Sequence, residues 1–230
     1  ANAEAITLSG QVSIRWIENK MNQKMNTILK TEGKDYVIAS DTDSIYLHMG
    51  DLVEAVYKGR EKTTEGIVGF LNKVCEVELE PYIESSYQEL ADYVNAYDQK
   101  MIMKRENIAD RGIWTAKKRY ILNVWDSEGV RYEQAKLKIM GIEAIKTSTP
   151  APCRKFLKDA FTMLMTGTED EVIDYIEQCR KEFKALPPSE IAFPRTVSNV
   201  EKWKSPSDMY LKGCPIHVRG AILYLSLIHI

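Results

Sequence analysis

Two aspartates stand two residues apart in Tyr36-Val-Ile-Ala-Ser-Asp41-Thr42-Asp43-Ser44-Ile45-Tyr46-Leu47, between two short apolar, β-prone runs. In extended or tightly turned backbone, residues i and i+2 project to the same side. Asp41 and Asp43 can therefore aim at one point, and paired carboxylates of that kind suit hard divalent cations. A bare Asp-x-Asp arises often by chance; the frame of apolar strand, Asp-Thr-Asp-Ser, apolar strand gives it weight. The bland alternative is a hairpin turn whose carboxylates cap backbone N–H groups. A calcium loop fails, because Ile45 stands where Asp or Asn is needed and no Gly follows. A phosphatase with an Asp nucleophile would want Thr or Val at position 45 and parallel β/α units afterwards, and neither is seen.

The elements that must position this pair are legible on either side of it. Between residues 6 and 29, Ile14, Ile17, Met21, Met25 and Ile28 recur at helical spacing, which predicts one amphipathic helix. Glu32-Gly33-Lys34-Asp35 turns the chain into a strand over residues 36–39, and residues 45–49 return as its hairpin partner. A long helical stretch follows, carrying Ile67, Leu71, Val74 and Cys75, then Ile83, Tyr87, Leu90, Val94 and Tyr97. Pro81 is expected to kink or split it. Residues 101–104, 113–126 and 130–140 are β-prone, with Asp126-Ser-Glu-Gly129 as the turn between the last two. Pro150-Ala-Pro152 marks a boundary, beyond which residues 154–165 and 169–183 read as paired helices joined by Thr166-Gly167-Thr168. The remainder reads as loop with short strands. The fold class is α+β: an antiparallel sheet with packed helices to residue 148, then a mainly helical part.

The 230 residues are 44% hydrophobic and 28% charged, ordinary for a globular chain able to bury a core. The apolar runs are too short to cross a bilayer, so no membrane partner is expected. Four scattered cysteines form no Cys-x-x-Cys pair, which argues against a zinc or iron–sulfur site and for a reducing compartment. The net charge of −2 hides segregation: residues 61–98 hold nine acidic against two basic side chains, and residues 131–158 hold seven basic against two acidic. Residues 100–119 are basic as well. A local basic stripe matters for phosphate contact more than the overall charge does; solvated faces are the plain alternative.

Asp41-Thr42-Asp43-Ser44 followed by an apolar residue and Tyr46 resembles the third polymerase motif of family B DNA polymerases. Trp114-Thr-Ala-Lys117-Lys118-Arg119-Tyr120 resembles that family's Lys-x-Tyr motif, which grips the primer–template duplex. Lys138-Ile-Met-Gly141-Ile-Glu143-Ala-Ile-Lys146 resembles the Lys-x-x-Gly segment beyond it, and Cys214-Pro215-Ile-His217-Val218 resembles an element of the thumb. The opening Asn2-Ala-Glu-Ala-Ile6-Thr7 is similar to the helix that follows the nucleotide-binding helix. The texture is closest to replicative polymerases of tailed bacteriophages with large genomes.

The resemblance implies the C-terminal part of a polymerase palm over residues 1–148 and the first part of a thumb over residues 149–224. It implies nucleotidyl transfer from deoxynucleoside triphosphates to a primer 3′ end on template DNA, with Mg2+ as cofactor. Asp43 would be the direct ligand of a two-metal site and Asp41 its supporting carboxylate, while Thr42 would meet the incoming nucleotide. The upstream Asp that completes such a site, in an Asp-x-x-Ser-Leu-Tyr-Pro motif, is not found. Neither is the helix whose Lys and Asn bind the triphosphate, so the chain is expected to be an internal fragment, inactive alone. Residues 225–230 resemble a translated sequencing-library adaptor and are set apart as a scar. A sliding clamp and other replisome proteins would engage regions outside this chain. The setting would be the cytoplasm of an infected bacterial cell.

Within that resemblance, Lys118 and Tyr120 of a strand share one face, with Lys117 and Arg119 on the other. The minor groove offers acceptors at every base pair, so a Lys donor there can sense pairing without reading sequence. Lys117 and Arg119 would lie nearer phosphates. Lys138 and Lys146 would meet the primer backbone or, with Glu143, tie palm to thumb; plain ion pairs are the alternative. Glu106 is a further carboxylate near the metals by loose resemblance, or an ordinary surface Glu. Trp114 and Trp125 read as core. Two readings compete with a polymerase: a metal-dependent Asp-x-Asp glycosyltransferase, and a non-catalytic DNA-binding module.

Overall fold

The computed structural model describes residues 2–228 and divides into two compact units, residues 1–140 and 141–230. The first unit opens on helix α1 (Asn2–Leu29), whose Ile17, Met21 and Met25 are fully buried, on the stripe their spacing predicts. Strands β1 (Val37–Asp41) and β2 (Ser44–Leu47) form the expected antiparallel hairpin, with Thr42 and Asp43 at its tip. A short helix α2 (Gly50–Val56) follows, which the sequence pattern did not reveal. Helix α3 (Thr64–Val74) begins on Thr63, whose hydroxyl accepts from Gly66 N.

Pro81 does not break the chain. Helix α3 runs through a π turn (Cys75–Leu79) into α4 (Glu80–Tyr93), and the Glu80 N–H reaches back to the Cys75 carbonyl. The helix widens just ahead of the proline, where the ring lacks an N–H and crowds the preceding turn. Helix α4 ends at Tyr93, so Val94 and Tyr97 lie beyond it and are exposed. Ile83, Tyr87 and Leu90 of α4 close on α1 and on the base of the hairpin, in one cluster with Tyr36 and Val37. The Trp16 indole N–H donates to the Ser86 carbonyl at 2.7 Å and ties α1 to α4.

Strands β3 (Asn107–Ala116), β4 (Arg119–Ser127) and β5 (Val130–Met140) form an antiparallel meander with β4 in the middle. Two expectations fail here. Residues 101–104 form no strand: the Gln99 side chain bonds both the N–H and the carbonyl of Met101, and the Glu80 carboxylate accepts from Arg105 N at 3.0 Å. Side chains thus serve backbone groups that a ladder would otherwise satisfy. The run over residues 113–126 is not one strand, because Lys117 and Lys118 form a turn with Lys118 at φ +61°. In β4 the residues Tyr120, Ile121, Leu122, Asn123 and Val124 are all buried, so the central strand is covered on both faces.

In the second unit a 3-10 turn (Glu143–Ile145) leads to α5 (Ala151–Thr166) and α6 (Glu169–Ala185), which pack as the expected pair. Thr168 and Glu171 form a reciprocal capping box at the start of α6. The short strands expected beyond residue 186 are absent among the described residues. In their place are α7 (Pro188–Ile191), a 3-10 turn (Val200–Trp203) and α8 (Ile216–Ile228). Cys214, Val218 and Ile222 pack with Val197, Trp203 and Tyr210, an apolar cluster that holds this stretch in helical form. Residues 225–228, set apart above as a scar, continue α8, and His229 and Ile230 lie outside the described residues.

Both sheets are antiparallel and helices pack against them, so the α+β class is borne out. No described helix is long and apolar enough to cross a membrane.

Candidate functional site

Asn22 of α1 fixes where the carboxylate hairpin starts. Its side-chain oxygen accepts from the backbone N–H groups of both Tyr36 and Val37 at 2.8 Å, and His48 N closes on the Tyr36 carbonyl at 2.8 Å. Alternation along β2 sends Ile45 and Leu47 toward the core formed by α1 and α4, and Ser44 and Tyr46 to the other face. Ser44 pairs with Asp41 and Tyr46 with Ala39, which places Asp41 on the Ser44–Tyr46 face.

The tip is strained. Thr42 has φ +46°, and Asp43 N donates to the Asp41 carbonyl around it. A three-residue turn centred on a left-handed residue is the rare form of γ-turn, and a β-branched residue there is unusual. Asp41 and Asp43 are thus brought together by a turn and not by the alternation of an extended strand. The Thr42 hydroxyl donates to Asp41 Oδ1 at 3.0 Å and the Ser44 hydroxyl to the Asp41 carbonyl at 3.1 Å. Asp43 is exposed, and among the described residues nothing donates to its carboxylate.

A second hairpin meets the first. Lys117 and Lys118, at the β3–β4 turn, are exposed, and Lys118 Nζ stands 3.8 Å from Asp41 Oδ1. Because both lysines sit in the turn, the two-faced strand expected of them is corrected: alternation begins at Arg119. The Thr115 hydroxyl donates to the Arg119 carbonyl at 3.2 Å and helps close the turn. Arg119 is half-buried, and Tyr120 is buried at 8% exposure. Tyr120 therefore lies beneath the turn, not on its surface. It packs with Leu122, Val124, Tyr46 and Trp114. Tyr46 contacts Trp114 edge-on at 5.3 Å between ring centres and Tyr120 at 5.4 Å. Burial is the main cause that pushes the Tyr46 phenol well above its usual range, and its contact with Tyr120 adds to it.

Lys138, opposite Leu122 on β5, forms an ion pair with Glu106. The Lys138 hydrogen bond holds the Glu106 carboxyl below the usual range, against the upward pull of desolvation. In the second unit, Lys146 pairs with Glu143 at 3.0 Å. Both lysines thus carry the plain ion pairs weighed as their alternative. His217 is exposed at the start of α8. The structure brings Asp41, Thr42, Asp43, Lys118 and Tyr120 into one neighbourhood of the first unit, with Lys117 and Arg119 flanking Lys118.

Sequence reading missed a buried charge cluster behind this neighbourhood. Asp126, 1% exposed, pairs with Arg105, with Arg131 Nε at 3.2 Å and with Gly129 N at 3.0 Å. Arg105 also donates to Asn72 of α3, so strands β4 and β5, the loop before β3 and, through Arg105, a helix are tied to one carboxylate. The signal available was an ionised residue inside a β-prone run, ahead of Ser-Glu-Gly.

The donor set suits a hard cation only in part. Asp41 and Asp43 supply carboxylate oxygens, but no group of three or more His, Cys, Asp or Glu that could hold a metal occurs among the described residues. No protein-family model matches the chain. Across 97% of its length it is 36% identical to the DNA-directed DNA polymerase of Enterobacteria phage T4 and 38% identical to that of Escherichia phage RB69. The chain matches a segment of phage DNA polymerases. It spans 26% of the length of those two relatives. The likeness to phage polymerases expected from the four ordered motifs is borne out at that level.

Proposed function

We propose that this chain supplies the carboxylate turn and the duplex-contacting turn of a family B, DNA-templated DNA polymerase, from the C-terminal palm and the first part of the thumb. The observation that carries the reading is the approach of Lys118 to Asp41 at 3.8 Å, from hairpins some seventy-five residues apart in sequence. A polymerase needs a metal-binding carboxylate and a groove-reading cation side by side, because the primer end must lie at both. Asp43, whose carboxylate meets no donor among the described residues, would hold Mg2+ directly, with Asp41 in support. Mg2+ there would activate the attacking hydroxyl and neutralise charge on the transferred phosphate. Thr42 would stand beside the incoming deoxynucleoside triphosphate. Lys118, projecting from its turn, would donate to base edges of the minor groove, with Lys117 and Arg119 toward phosphates.

Primer–template DNA and deoxynucleoside triphosphates are thus the proposed ligands, and the infected bacterial cytoplasm is the proposed setting. Contacts with a sliding clamp and the rest of a replisome would fall to the remainder of the parent.

Lys118→Ala is expected to weaken binding of the parent polymerase to paired primer–template about equally for different sequences. Lys117→Ala should lower the slope of log affinity against log salt by about one, the signature of one lost phosphate contact. The slope for Lys118→Ala should change less. Fluorescence anisotropy over a salt series measures both. A strongly sequence-dependent loss for Lys118→Ala, or none, would leave a merely solvated turn.

The 230-residue chain by itself is expected to fold but to extend no primer, and to hold Mg2+ only weakly. That ion dehydrates reluctantly and is normally held together with substrate phosphates. Primer-extension assays and calorimetric titration with Mg2+ and Mn2+ check this. Templated extension would mean that a complete site exists within these residues.

A further inference from the structure

Lys138 and Glu106 meet within the first unit, and the reading above leaves their ion pair without a task. Lys138 stands opposite Leu122, as Met140 stands opposite Tyr120. Residues directly opposed across a ladder share a face. Lys138 therefore rises from the side of the sheet on which Tyr120 and Leu122 pack with Tyr46 of the carboxylate hairpin. That side leads along β4 to the turn that carries Lys117 and Lys118. The Lys138 side chain is 30% exposed and that of Glu106 55%, so both halves of the pair are open to an incoming ligand.

Surface ion pairs contribute little as a rule, because two long side chains give up their freedom to meet. Here one partner is held by its backbone. The Glu106 carbonyl accepts from Glu128 N at 2.6 Å, and the N–H of the preceding Arg105 is bound by the Glu80 carboxylate at 3.0 Å. The Arg105 guanidinium is itself fixed between Asp126 and Asn72. The buried charge cluster thus presents Glu106 to Lys138. A carboxylate in that position stands where a phosphodiester oxygen would dock. The two anions brought onto one ammonium would face each other with like charge, so one displaces the other.

We propose that Glu106 is a built-in competitor for the duplex: its carboxylate holds the Lys138 ammonium in the free enzyme and yields it to a backbone phosphate when primer–template is seated. This rests on the polymerase reading above. The exchange keeps Lys138 paired before and after binding, and it lowers affinity for the duplex by the strength of the pair given up. A polymerase must break and re-form its phosphate contacts as the duplex advances, and a waiting carboxylate makes this contact easy to release.

The test is binding of the parent polymerase to primer–template by fluorescence anisotropy, in buffer free of divalent metal so that metal binding plays no part. Lys138→Ala should weaken binding and lower the slope of log affinity against log salt by about one. Glu106→Gln, which keeps the shape and removes the charge, should tighten binding about three- to fivefold at low salt, the upper range for a surface pair. Glu106→Ala should tighten it likewise. The gain should vanish when Glu106→Gln is added to Lys138→Ala, since the competitor then has nothing to hold. A gain of the same size in both backgrounds would show that Glu106 merely repels phosphates, and it overturns the exchange. So does unchanged affinity in Lys138→Ala, or affinity no better than wild type in both Glu106 variants. Lys118→Ala on the same preparations separates the two ideas. If it weakens binding as stated above while the Glu106 variants change nothing, only the exchange falls. If neither Lys117→Ala nor Lys118→Ala affects binding, the polymerase reading and this proposal fall together.

Discussion

Replacing Asp43 with Ala in the parent polymerase should reduce primer extension by at least about a hundredfold while leaving primer–template binding within about twofold. The reasoning is one of charge. Phosphoryl transfer builds negative charge that a bound metal stabilises by several kcal/mol, and each 1.4 kcal/mol or so is tenfold in rate. Asp43 is the carboxylate of the pair left without a donor among the described residues, so none of those residues competes for its oxygens. Asp41 differs, because the Thr42 hydroxyl and the Lys118 ammonium already face it. Asp41→Ala should therefore cost less activity than Asp43→Ala, and it should also perturb Lys118 and so weaken duplex binding. Single-turnover extension and anisotropy on the same preparations measure the two losses. Retention of a tenth of the activity by Asp43→Ala would remove the role given to it.

The parts of this site differ in how far sequence discloses them, and the difference has physical causes. The hairpin was legible because two apolar runs flank a polar turn, a local pattern with a period of two. Helix α1 was legible for the same reason at a period of 3.6, and Ile17, Met21 and Met25 are its buried stripe. The turn at Lys117 and Lys118 was not. Neither residue is a turn former, and a left-handed Lys costs about 1–2 kcal/mol that the sheet on both sides must repay. The π turn before Pro81 was hidden too, since nothing local separates a widened helix from a broken one. Nor could spacing alone show that Tyr46, in one hairpin, leans on Trp114 and Tyr120, in another. That contact belongs to tertiary packing, and it joins motifs that the family resemblance had only placed in order along the chain.

The buried cluster at Asp126 should matter most to stability. Asp126→Asn in this chain is expected to destabilise the first unit by about 3–5 kcal/mol, the usual cost of removing one partner from a buried ion pair. Asparagine keeps the shape and one acceptor oxygen. It leaves the Arg105 guanidinium, itself little exposed, without its counter-ion. Acid should reveal the same dependence in the wild-type protein. Desolvation pulls the Asp126 carboxyl upward, but Arg105, Arg131 and the Gly129 N–H outweigh it and hold it below the usual range. A carboxyl lowered by folding contributes its full stability above its unfolded pKa of about 3.9, and that contribution is lost as pH falls through the folded value. The gap between wild type and Asp126→Asn should thus be constant from neutral pH to about pH 5, then narrow below about pH 4. Urea unfolding of both proteins across that range, followed by tryptophan fluorescence (Trp125 adjoins the cluster), measures the gap directly. A difference under about 1 kcal/mol at neutral pH would mean that water reaches the cluster and screens it as it screens surface pairs. A gap that stays wide in acid would show that shape, not charge, is what Asp126 contributes.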